Sequence, residues 1–219
     1  MGSVLIIAAA GMGVRLGRPE PKALVPLAGR PMICWCLDTF GELSFDALVV
    51  AAPADRIADF EALVRGRGEV VAGGMTRAES VRRAFDRAGA LPRDVVCIHD
   101  AARPLVSAKE VAGTIAAAQL VGAAMAATPI VDTVKRVEGE RIVATVDRNG
   151  LWAAGTPQAF RADLLRQALA SGREATDEAS LCEALGIPVA AVPVSRFGFK
   201  ITAPEDLEMA EAILRGREK

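Results

Sequence analysis

The chain has 219 residues, with 26 basic and 27 acidic side chains and a formal net charge of −1 at pH 7. This length suits one large α/β domain, and the near-zero charge argues against bulk electrostatic attraction to nucleic acid or an anionic membrane. Four cysteines without metal-ligand spacing and a single histidine argue against a zinc site and favour reduced thiols buried in the core.

The first apolar run, VLIIAAA, has no basic leader and is too short for a signal peptide or a membrane span. No other stretch reaches spanning length without a charge, and the chain ends soon after its last predicted helix. We therefore expect a cytoplasmic protein with no fused second enzyme and no nucleic-acid or membrane partner.

Short β-branched runs alternate with amphipathic stretches over the first 122 residues. Strands are predicted for SVLIIAA, DALVVAA, EVVAGG and DVVCIHD, and helices for PMICWCLDTFGEL, ADRIADFEALVRG, TRAESVRRAFDRAG and SAKEVAGTIAAAQLVG. Thr76 and Glu79 have capping-box spacing, and Ser107 is a predicted N-cap. This alternation predicts an α/β fold with a mostly parallel sheet covered by helices on both faces.

Ligands of such sheets bind at the carboxyl ends of the strands. Gly11, the pair Gly73 and Gly74, and Asp100 each follow a predicted strand. We therefore expect these residues to line one rim of the sheet.

The pattern changes between about residues 130 and 155. IVDTVKRVEGERIVATVDRNGLW alternates apolar and polar residues around the turn signal EGER, which predicts a two-stranded β-arm. A hairpin alone is barely stable in water, so the arm is expected to pack against a partner. Helices are predicted for FRADLLRQALASG and TDEASLCEALG, and a last helix begins near Pro204. Residues 1–219 are interpreted as a single domain that carries this arm.

The loop after the first strand contains Gly11-x-Gly13, which allows a ligand to approach bare backbone. Leu16 stands where a Rossmann fingerprint has its third glycine, and the Walker A pattern is absent. Arg15 and Lys22 lie among glycines and prolines rather than on an amphipathic helix. These cations modestly favour a phosphate-binding loop over a plain β-to-α turn.

The segment AAAGMGVRLG, with the later PK, resembles the signature loop of sugar and polyol-phosphate nucleotidyltransferases. The segments GGMTRAESV, HDAARP, DTVKR, VDRNGLWAAGTPQAF, TDEAS and FKITAPEDL follow in an order that is similar to the 2-C-methyl-D-erythritol 4-phosphate cytidylyltransferase family. The resemblance covers nearly the whole chain. It implies a Rossmann-like domain with a protruding β-arm that interlocks two subunits as a homodimer. It also implies cytidylyl transfer from CTP to a polyol phosphate, with release of pyrophosphate and with Mg²⁺ or another hard divalent cation as cofactor.

The same resemblance assigns site residues. The implied catalytic cations are Arg15, Lys22 and Lys200. The residues implied for CTP are Ala8, Ala9, Ala10, Gly11, Gly13, Gly73, Gly74, Ser80, Asp100 and Arg103, and Asp100 is also the expected metal ligand. The residues implied for the polyol phosphate, partly from the other subunit's arm, are Asp132, Thr133, Arg136, Arg148 and Thr156. His99 is expected to hydrogen-bond within its loop rather than to act as a ligand or a base.

This sequence departs from the family pattern at three positions. The family commonly has Pro where Ala8 stands, Gln where Ala23 stands and a larger residue where Gly155 stands. A cytidylyltransferase for ribitol 5-phosphate, which shares the fold and the loop, therefore stays open as an alternative.

Three other classes are less favoured. A sugar-phosphate nucleotidyltransferase for another base matches the loop but not the later segments. A CTP-binding protein without catalysis would not need the four retained charges Arg15, Lys22, Asp100 and Lys200. Nucleic-acid binding is the weakest interpretation, because the chain has seven Phe, two Trp and no Tyr for stacking and no basic stripe.

Overall fold

The computed structural model describes residues 1–173 and 175–217, and its elements follow the alternation of apolar runs and amphipathic stretches. The strands are β1 (Ser3–Ala8), β2 (Pro26–Leu27), β3 (Arg30–Pro31), β4 (Ala47–Ala52), β5 (Glu69–Ala72), β6 (Val95–Asp100), β7 (Ala123–Pro129), β8 (Val134–Glu138), β9 (Arg141–Val146), β10 (Trp152–Arg161) and β11 (Ala190–Pro193). The helices are α1 (Met32–Gly41), α2 (Ile57–Val64), α3 (Arg77–Ala88), α4 (Ala108–Val121), α5 (Ala162–Ala170), α6 (Glu178–Ala184) and α7 (Pro204–Arg217).

Seven strands form the central sheet in the order β11-β7-β10-β6-β1-β4-β5. Strand β10 is antiparallel to both of its neighbours, and the other pairings in this sheet are parallel. The predicted mostly parallel sheet is confirmed.

Strands β7 and β10 are not among the predicted elements. The β7 sequence, AAMAATP, is rich in alanine, which has a weak preference for strands, so its pattern carries little β signal. Strand β10 inserts between β6 and β7, and that position depends on contacts between distant parts of the chain. Neither fact is visible in a local window of the sequence.

Apolar side chains of the central strands point alternately to two buried layers. On one side, Val4 and Ile6 belong to a core with residues of α3, α5 and α6. On the other, Leu5 and Ile7 pack with residues of α1, α2 and α4. The sheet is therefore covered on both faces, as predicted.

A third apolar cluster lies under the loop that follows β1. It contains Leu16 and Val25 from the loop, Leu105 from the segment after β6, and Leu214 from α7. This cluster fixes the loop and the C-terminal helix against each other, and so it positions the site described below.

Strands β8 and β9 pair with each other in a separate two-stranded antiparallel sheet, which we call the hairpin (residues 134–146). A register shift after Arg136 places Val137 opposite Ile142, while Val134 lies opposite Val146. Paired residues share one face, but Val134 and Val137 are three positions apart on β8, so the pair of Val134 with Val146 and the pair of Val137 with Ile142 lie on opposite faces of the hairpin. Val137 and Ile142 are exposed. That the hairpin protrudes as an arm joining two subunits stays a prediction.

Of the two predicted N-terminal caps, the one at α4 is confirmed and the capping box at α3 forms only in part. Ser107 and Glu110 form a complete reciprocal capping box at the start of α4. Thr76 caps α3 by accepting from the Glu79 amide, but the Glu79 carboxylate accepts from the Met75 amide instead of reaching back to Thr76.

The predicted reduced cysteines are also found. All four cysteines are unpaired, and Cys36, Cys97 and Cys182 are buried while Cys34 is partly exposed. None of the helices in the described residues combines the length and hydropathy that crossing a bilayer requires.

Candidate active site

The strand order reverses beside β1, because β4 and β5 lie on one side of it and β6 lies on the other. Ala8 and Asp100, the last residues of β1 and β6, are paired in the sheet. A cavity of about 250 Å³ opens at this point, where doubly wound sheets bind their ligands. We call it the first cleft; it is lined by residues 8–12, 15, 22, 23, 74–77, 80, 100–102 and 200.

The chain after β1 folds back so that its backbone lines the first cleft. The Lys22 amide donates to the Gly11 carbonyl at 2.9 Å. A Cβ on Gly13 would lie 2.8 Å from the Glu20 carbonyl oxygen, so this turn requires glycine there. Gly13 therefore shapes the loop without lining the cleft.

Four cations line the first cleft, namely Arg15, Lys22, Arg77 and Lys200. Lys22 is only 9% exposed, and its Nζ donates to the Ile201 carbonyl at 3.0 Å. Burial lowers the pKa of Lys22, and the nearby charges of Lys200 and Arg15 lower it further. Positive charge is thus concentrated in a partly desolvated site, which favours entry of a polyanion.

Asp100 lies among these cations and is buried. Its Oδ2 accepts from Lys200 Nζ at 2.6 Å, and its Oδ1 accepts from Arg77 Nε at 2.8 Å. Burial alone would raise the pKa of Asp100, but Arg77 and Lys200 outweigh burial and hold the pKa well below its usual range. Asp100 is therefore ionised and fixes the position of both cations.

Arg77 and Glu178 extend this network and were not predicted. Arg77 Nη1 donates to both Glu178 carboxylate oxygens, at 2.9 and 2.8 Å. Glu178 is 1% exposed, and burial raises its pKa more than Arg77 lowers it. Arg77 Nη2 is buried and has no hydrogen-bond partner among the described residues. The two residues are separated by 101 positions, so no local signal shows that they pair.

The segment after β5 forms the opposite wall. A Cβ on Gly73 would lie 2.5 Å from the Ala10 Cβ, so the close approach of the two loops requires glycine. Ser80 Oγ accepts from the Gly74 amide at 3.0 Å and donates to the Thr76 carbonyl at 2.9 Å. Ser80 thus braces the wall that it lines, and it keeps one lone pair for a ligand.

A second cleft lies beyond Lys200, among β7, β10 and the segment after β11. It is lined by residues 103, 106, 110, 126–128, 153–156, 194–196 and 198–200. Within the described chain, Lys200 alone lines both clefts. Its ammonium group therefore lies where ligands of the two clefts would meet.

Arg103 braces the second cleft. Its Nη1 donates to the Gly198 carbonyl at 2.9 Å and its Nη2 to the Ala154 carbonyl at 3.3 Å. Its Nε is buried without a hydrogen-bond partner in the part of the chain that the structure describes. Burial lowers the pKa of Arg103.

His99 is fully buried behind the second cleft. Its Nε2 lies 3.1 Å from the Arg103 carbonyl oxygen, and its Nδ1 lies 3.2 Å from Thr156 Oγ1. Burial lowers the pKa of His99 to about 4, so the ring is neutral near neutral pH. The expected hydrogen bonding within its loop is confirmed.

The sequence matches the family model of 2-C-methyl-D-erythritol 4-phosphate cytidylyltransferase over residues 3–216. The chain belongs to this family. The cytidylyltransferase of that name from Prochlorococcus marinus (strain MIT 9313) is 43% identical over 96% of this chain and 97% of its own length. The one from Frankia casuarinae is 45% identical over 95% of this chain and 80% of its own. The crystal structure of the Thermus thermophilus cytidylyltransferase superposes with a TM-score of 0.82 at 37% identity, covering 98% of this chain and 100% of that one.

Most residues predicted from the cytidylyltransferase family meet in the two clefts. The first cleft contains Ala8, Ala9, Ala10, Gly11, Arg15, Lys22, Gly74, Ser80, Asp100 and Lys200. Arg103 and Thr156 line the second cleft, while Gly13 and Gly73 support loops and line neither. The roles assigned to these residues stay predictions.

Four predicted substrate residues lie elsewhere. Arg136 lies in the hairpin, Asp132 and Thr133 directly precede it and Arg148 follows it, and none of the four lines either cleft. Arg148 Nη1 donates to the Val131 carbonyl. One chain therefore does not bring these residues to its own clefts, and their role also stays a prediction.

The three departures from the cytidylyltransferase pattern all face the clefts. Ala8 and Ala23 line the first cleft, and Gly155 lines the second. A Cβ at Gly155 would lie 3.2 Å from the Ala126 carbonyl oxygen and 3.5 Å from Arg103 Nη1. A larger residue there would press on Arg103, so this departure changes the shape of the second cleft.

Metal-binding capacity is limited. The described residues contain no group of three or more His, Cys, Asp or Glu side chains arranged to hold a metal ion. Among the described residues, Asp100 supplies the sole carboxylate in the lining of the first cleft, and both of its oxygens accept from cations. Any metal here would need most of its ligands from a bound substrate.

Proposed function

We propose that this chain joins CTP and 2-C-methyl-D-erythritol 4-phosphate to give 4-diphosphocytidyl-2-C-methyl-D-erythritol and pyrophosphate. Membership of the cytidylyltransferase family supports this reaction. The observation that carries it is the convergence of Arg15, Lys22 and Lys200 on the first cleft, with Lys200 also lining the second. Such a set suits a reaction between two anions.

The chemistry needs no protein nucleophile. An oxygen of the methylerythritol phosphate attacks the α-phosphorus of CTP, and the bond from that phosphorus to the pyrophosphate oxygen breaks. The attacking group is already an anion near neutral pH, so the work is to align the two substrates and to stabilise charge at phosphorus. Arg15 and Lys22 bind the triphosphate and the developing charge, and Lys200 neutralises the incoming phosphate.

The first cleft is the proposed CTP site. The backbone at residues 8–11 and at Gly74 supplies amides and carbonyls for the pyrimidine and the phosphates, and Ser80 supplies its remaining lone pair. The second cleft, with Arg103 and Thr156, is the proposed site for the polyol phosphate.

A divalent cation fits the first cleft if it binds both Asp100 and the phosphates of the substrate. Mg²⁺ keeps several waters and commonly binds through one or two carboxylates plus substrate phosphates, which matches the lone carboxylate of Asp100. When bound, the ion would neutralise phosphate charge. Asp100 is the proposed contact between the chain and that ion.

The hairpin is the proposed dimer contact. Val137 and Ile142 are paired across its two strands and are exposed on one face, and an isolated hairpin needs a partner for stability. Placement of the hairpin on a second copy would bring Arg148 and its neighbours to that copy's second cleft. Each site would then be built from two subunits.

Four unpaired cysteines fit a reducing compartment. We therefore propose a cytoplasmic location, which fractionation of the native cell would test.

The first test is pyrophosphate release with CTP and Mg²⁺, with methylerythritol 4-phosphate and ribitol 5-phosphate offered in parallel. We expect a clear preference for the former. Preference for ribitol phosphate would keep the mechanism but reassign the substrate, and Gly155 would be the first position to vary. Tight CTP binding without pyrophosphate release from either would contradict the proposed catalysis.

A further inference from the structure

Four polar groups meet at the back wall of the second cleft. His99 Nε2 lies 3.1 Å from the Arg103 carbonyl oxygen, and His99 Nδ1 lies 3.2 Å from Thr156 Oγ1. The Asp100 amide donates to the same Thr156 oxygen at 3.1 Å. His99 is 0% exposed, so no solvent competes for these positions.

The Arg103 carbonyl decides where the imidazole proton lies. A carbonyl oxygen can only accept, so the nitrogen facing it must carry hydrogen. A neutral imidazole has one ring proton, and a fully buried ring without a carboxylate partner is neutral. The proton is therefore on Nε2, and Nδ1 is an acceptor.

This tautomer determines the direction of the hydrogen bond between Thr156 and His99. Since Nδ1 accepts, the Thr156 hydroxyl must donate its single proton to His99. One lone pair of the same oxygen accepts from the Asp100 amide. The one position left on Thr156 is a lone pair, and Thr156 lines the second cleft.

We propose that His99 is a positioning residue that makes Thr156 an obligate hydrogen-bond acceptor, so that Thr156 selects a free hydroxyl group on the substrate of the second cleft. This inference rests on the proposed function, in which that substrate is a polyol phosphate. Thr156 then recognises the polyol part of the substrate, because an ionised phosphate offers it no proton. The phosphate is left to the cations.

If Thr156 accepts a hydrogen bond from a substrate hydroxyl, substrate analogues that lack this hydroxyl should bind more weakly. A site that hydrogen-bonds a substrate hydroxyl discriminates strongly against an analogue without it. Replacing the recognised hydroxyl by fluorine, which cannot donate, should harm binding as much as replacing it by hydrogen. If Thr156 instead donated to the substrate, the fluoro analogue would retain part of the binding.

Two isosteric variants separate the two functions of the ring. His99→Gln keeps an amide nitrogen near the position of Nε2 and loses the acceptor for Thr156, whereas His99→Asn keeps an oxygen near the position of Nδ1. We expect His99→Gln to raise the KM for the polyol phosphate about tenfold while the KM for CTP stays within about twofold. We expect His99→Asn to retain the lower KM.

The effect must also depend on Thr156. In a Thr156→Val background, His99→Gln should no longer change the KM for the polyol phosphate, while in a Thr156→Ser background it should. A merely structural role of His99 would raise the KM by the same factor in all backgrounds and in both isosteric variants. That result would overturn the proposal.

The tautomer itself can be observed, because the protein has one histidine. A long-range ¹H–¹⁵N correlation spectrum of ¹⁵N-histidine-labelled, untagged protein contains one imidazole, and we expect the Nε2–H pattern. An Nδ1–H pattern in active wild-type protein would overturn the inference and leave the proposed function standing. Absence of cytidylyl transfer in the wild type would overturn the function while the tautomer assignment stood.

Discussion

The first cleft and the hairpin differ in how many of their side chains find partners within one chain. In the cleft, Asp100 is bonded to Arg77 and Lys200, Arg77 is bonded to Glu178, and Lys22 is anchored on a backbone carbonyl. The hairpin carries the exposed apolar pair Val137 and Ile142, and none of its cations lines either cleft. The contrast teaches that charge is preorganised where one chain can enclose it, whereas the hairpin leaves apolar side chains exposed in the single chain.

Of the changes in the first cleft, loss of Lys22 should reduce turnover most. Replacing it with Ala removes a preorganised cation, and we expect turnover to fall about 10²–10³-fold while CTP binding weakens far less. Steady-state kinetics with CTP titration measures both quantities. Lys109→Ala, an exposed lysine on α4, is the matched control. Equal losses in binding and rate would make Lys22 an ordinary substrate clamp.

A mixing experiment tests whether the hairpin completes another copy's site. Lys22→Ala removes a cation of the first cleft and Arg148→Ala removes a cation two residues after the hairpin, so each variant alone should be nearly inactive. After subunit exchange, half of the dimers are mixed and each has one intact site, which restores about a quarter of wild-type activity. No recovery from a mixture that has exchanged subunits would show that each site uses its own hairpin.

A substitution in the exposed pair Val137 and Ile142 tests the same proposed contact through the oligomeric state of the protein. Ile142 is 66% exposed, and Ile142→Glu should dissociate the proposed dimer and remove most activity together. Sedimentation velocity and turnover are measured on the same sample. Leu120→Glu changes an apolar side chain that is 88% exposed on α4, and it should do neither. A fully active Ile142→Glu monomer would exclude a composite site.

The buried ion pair of Arg77 and Glu178, beside the first cleft, should stabilise the folded protein. Glu178→Gln leaves Arg77 with a single charged partner in the described network, and we expect the free energy of unfolding to fall by about 3 kcal/mol. Urea denaturation measures it. Glu183→Gln, an exposed change on the same helix, should stay within about 0.5 kcal/mol of wild type. Equal stability of the two variants would contradict the buried network.

The last expected effect is a pH dependence of stability that arises from the buried His99. The pKa of His99 is about 4 in the folded chain and about 6.5 when unfolded, so between these values the unfolded chain binds more protons. Lowering the pH through this window should therefore reduce the free energy of unfolding by about 1.4 kcal/mol per pH unit. His99→Asn lacks this contribution and should show a shallower slope. Parallel slopes would mean that His99 titrates alike in both states.

The sequence predicted best what is encoded locally. The strands ending at Ala8 and Asp100, the glycine-containing loop with Lys22, and the alternating hairpin each have a signal within a dozen residues. The pairing of Arg77 with Glu178 has none, because it arises only when α3 and α6 are packed on one face of the sheet.

The same limit explains the missed strands. An alanine-rich β7 has little intrinsic preference for extended structure, and it becomes a strand through its neighbours β10 and β11. The sequence thus predicts β1 and β6, the strands that end at the first cleft. The sequence does not predict β7 and β10, whose residues line the second cleft.

The position of β10 also sets an order of assembly. It supplies the neighbour of β6 in the middle of the sheet, yet it follows β6 by the whole of α4, β7 and the hairpin. While the chain is being synthesised, β6 presents an open edge until residues 152–161 have emerged. Fragments that stop before this strand should therefore associate through that edge, so the protein gains its solubility late in translation.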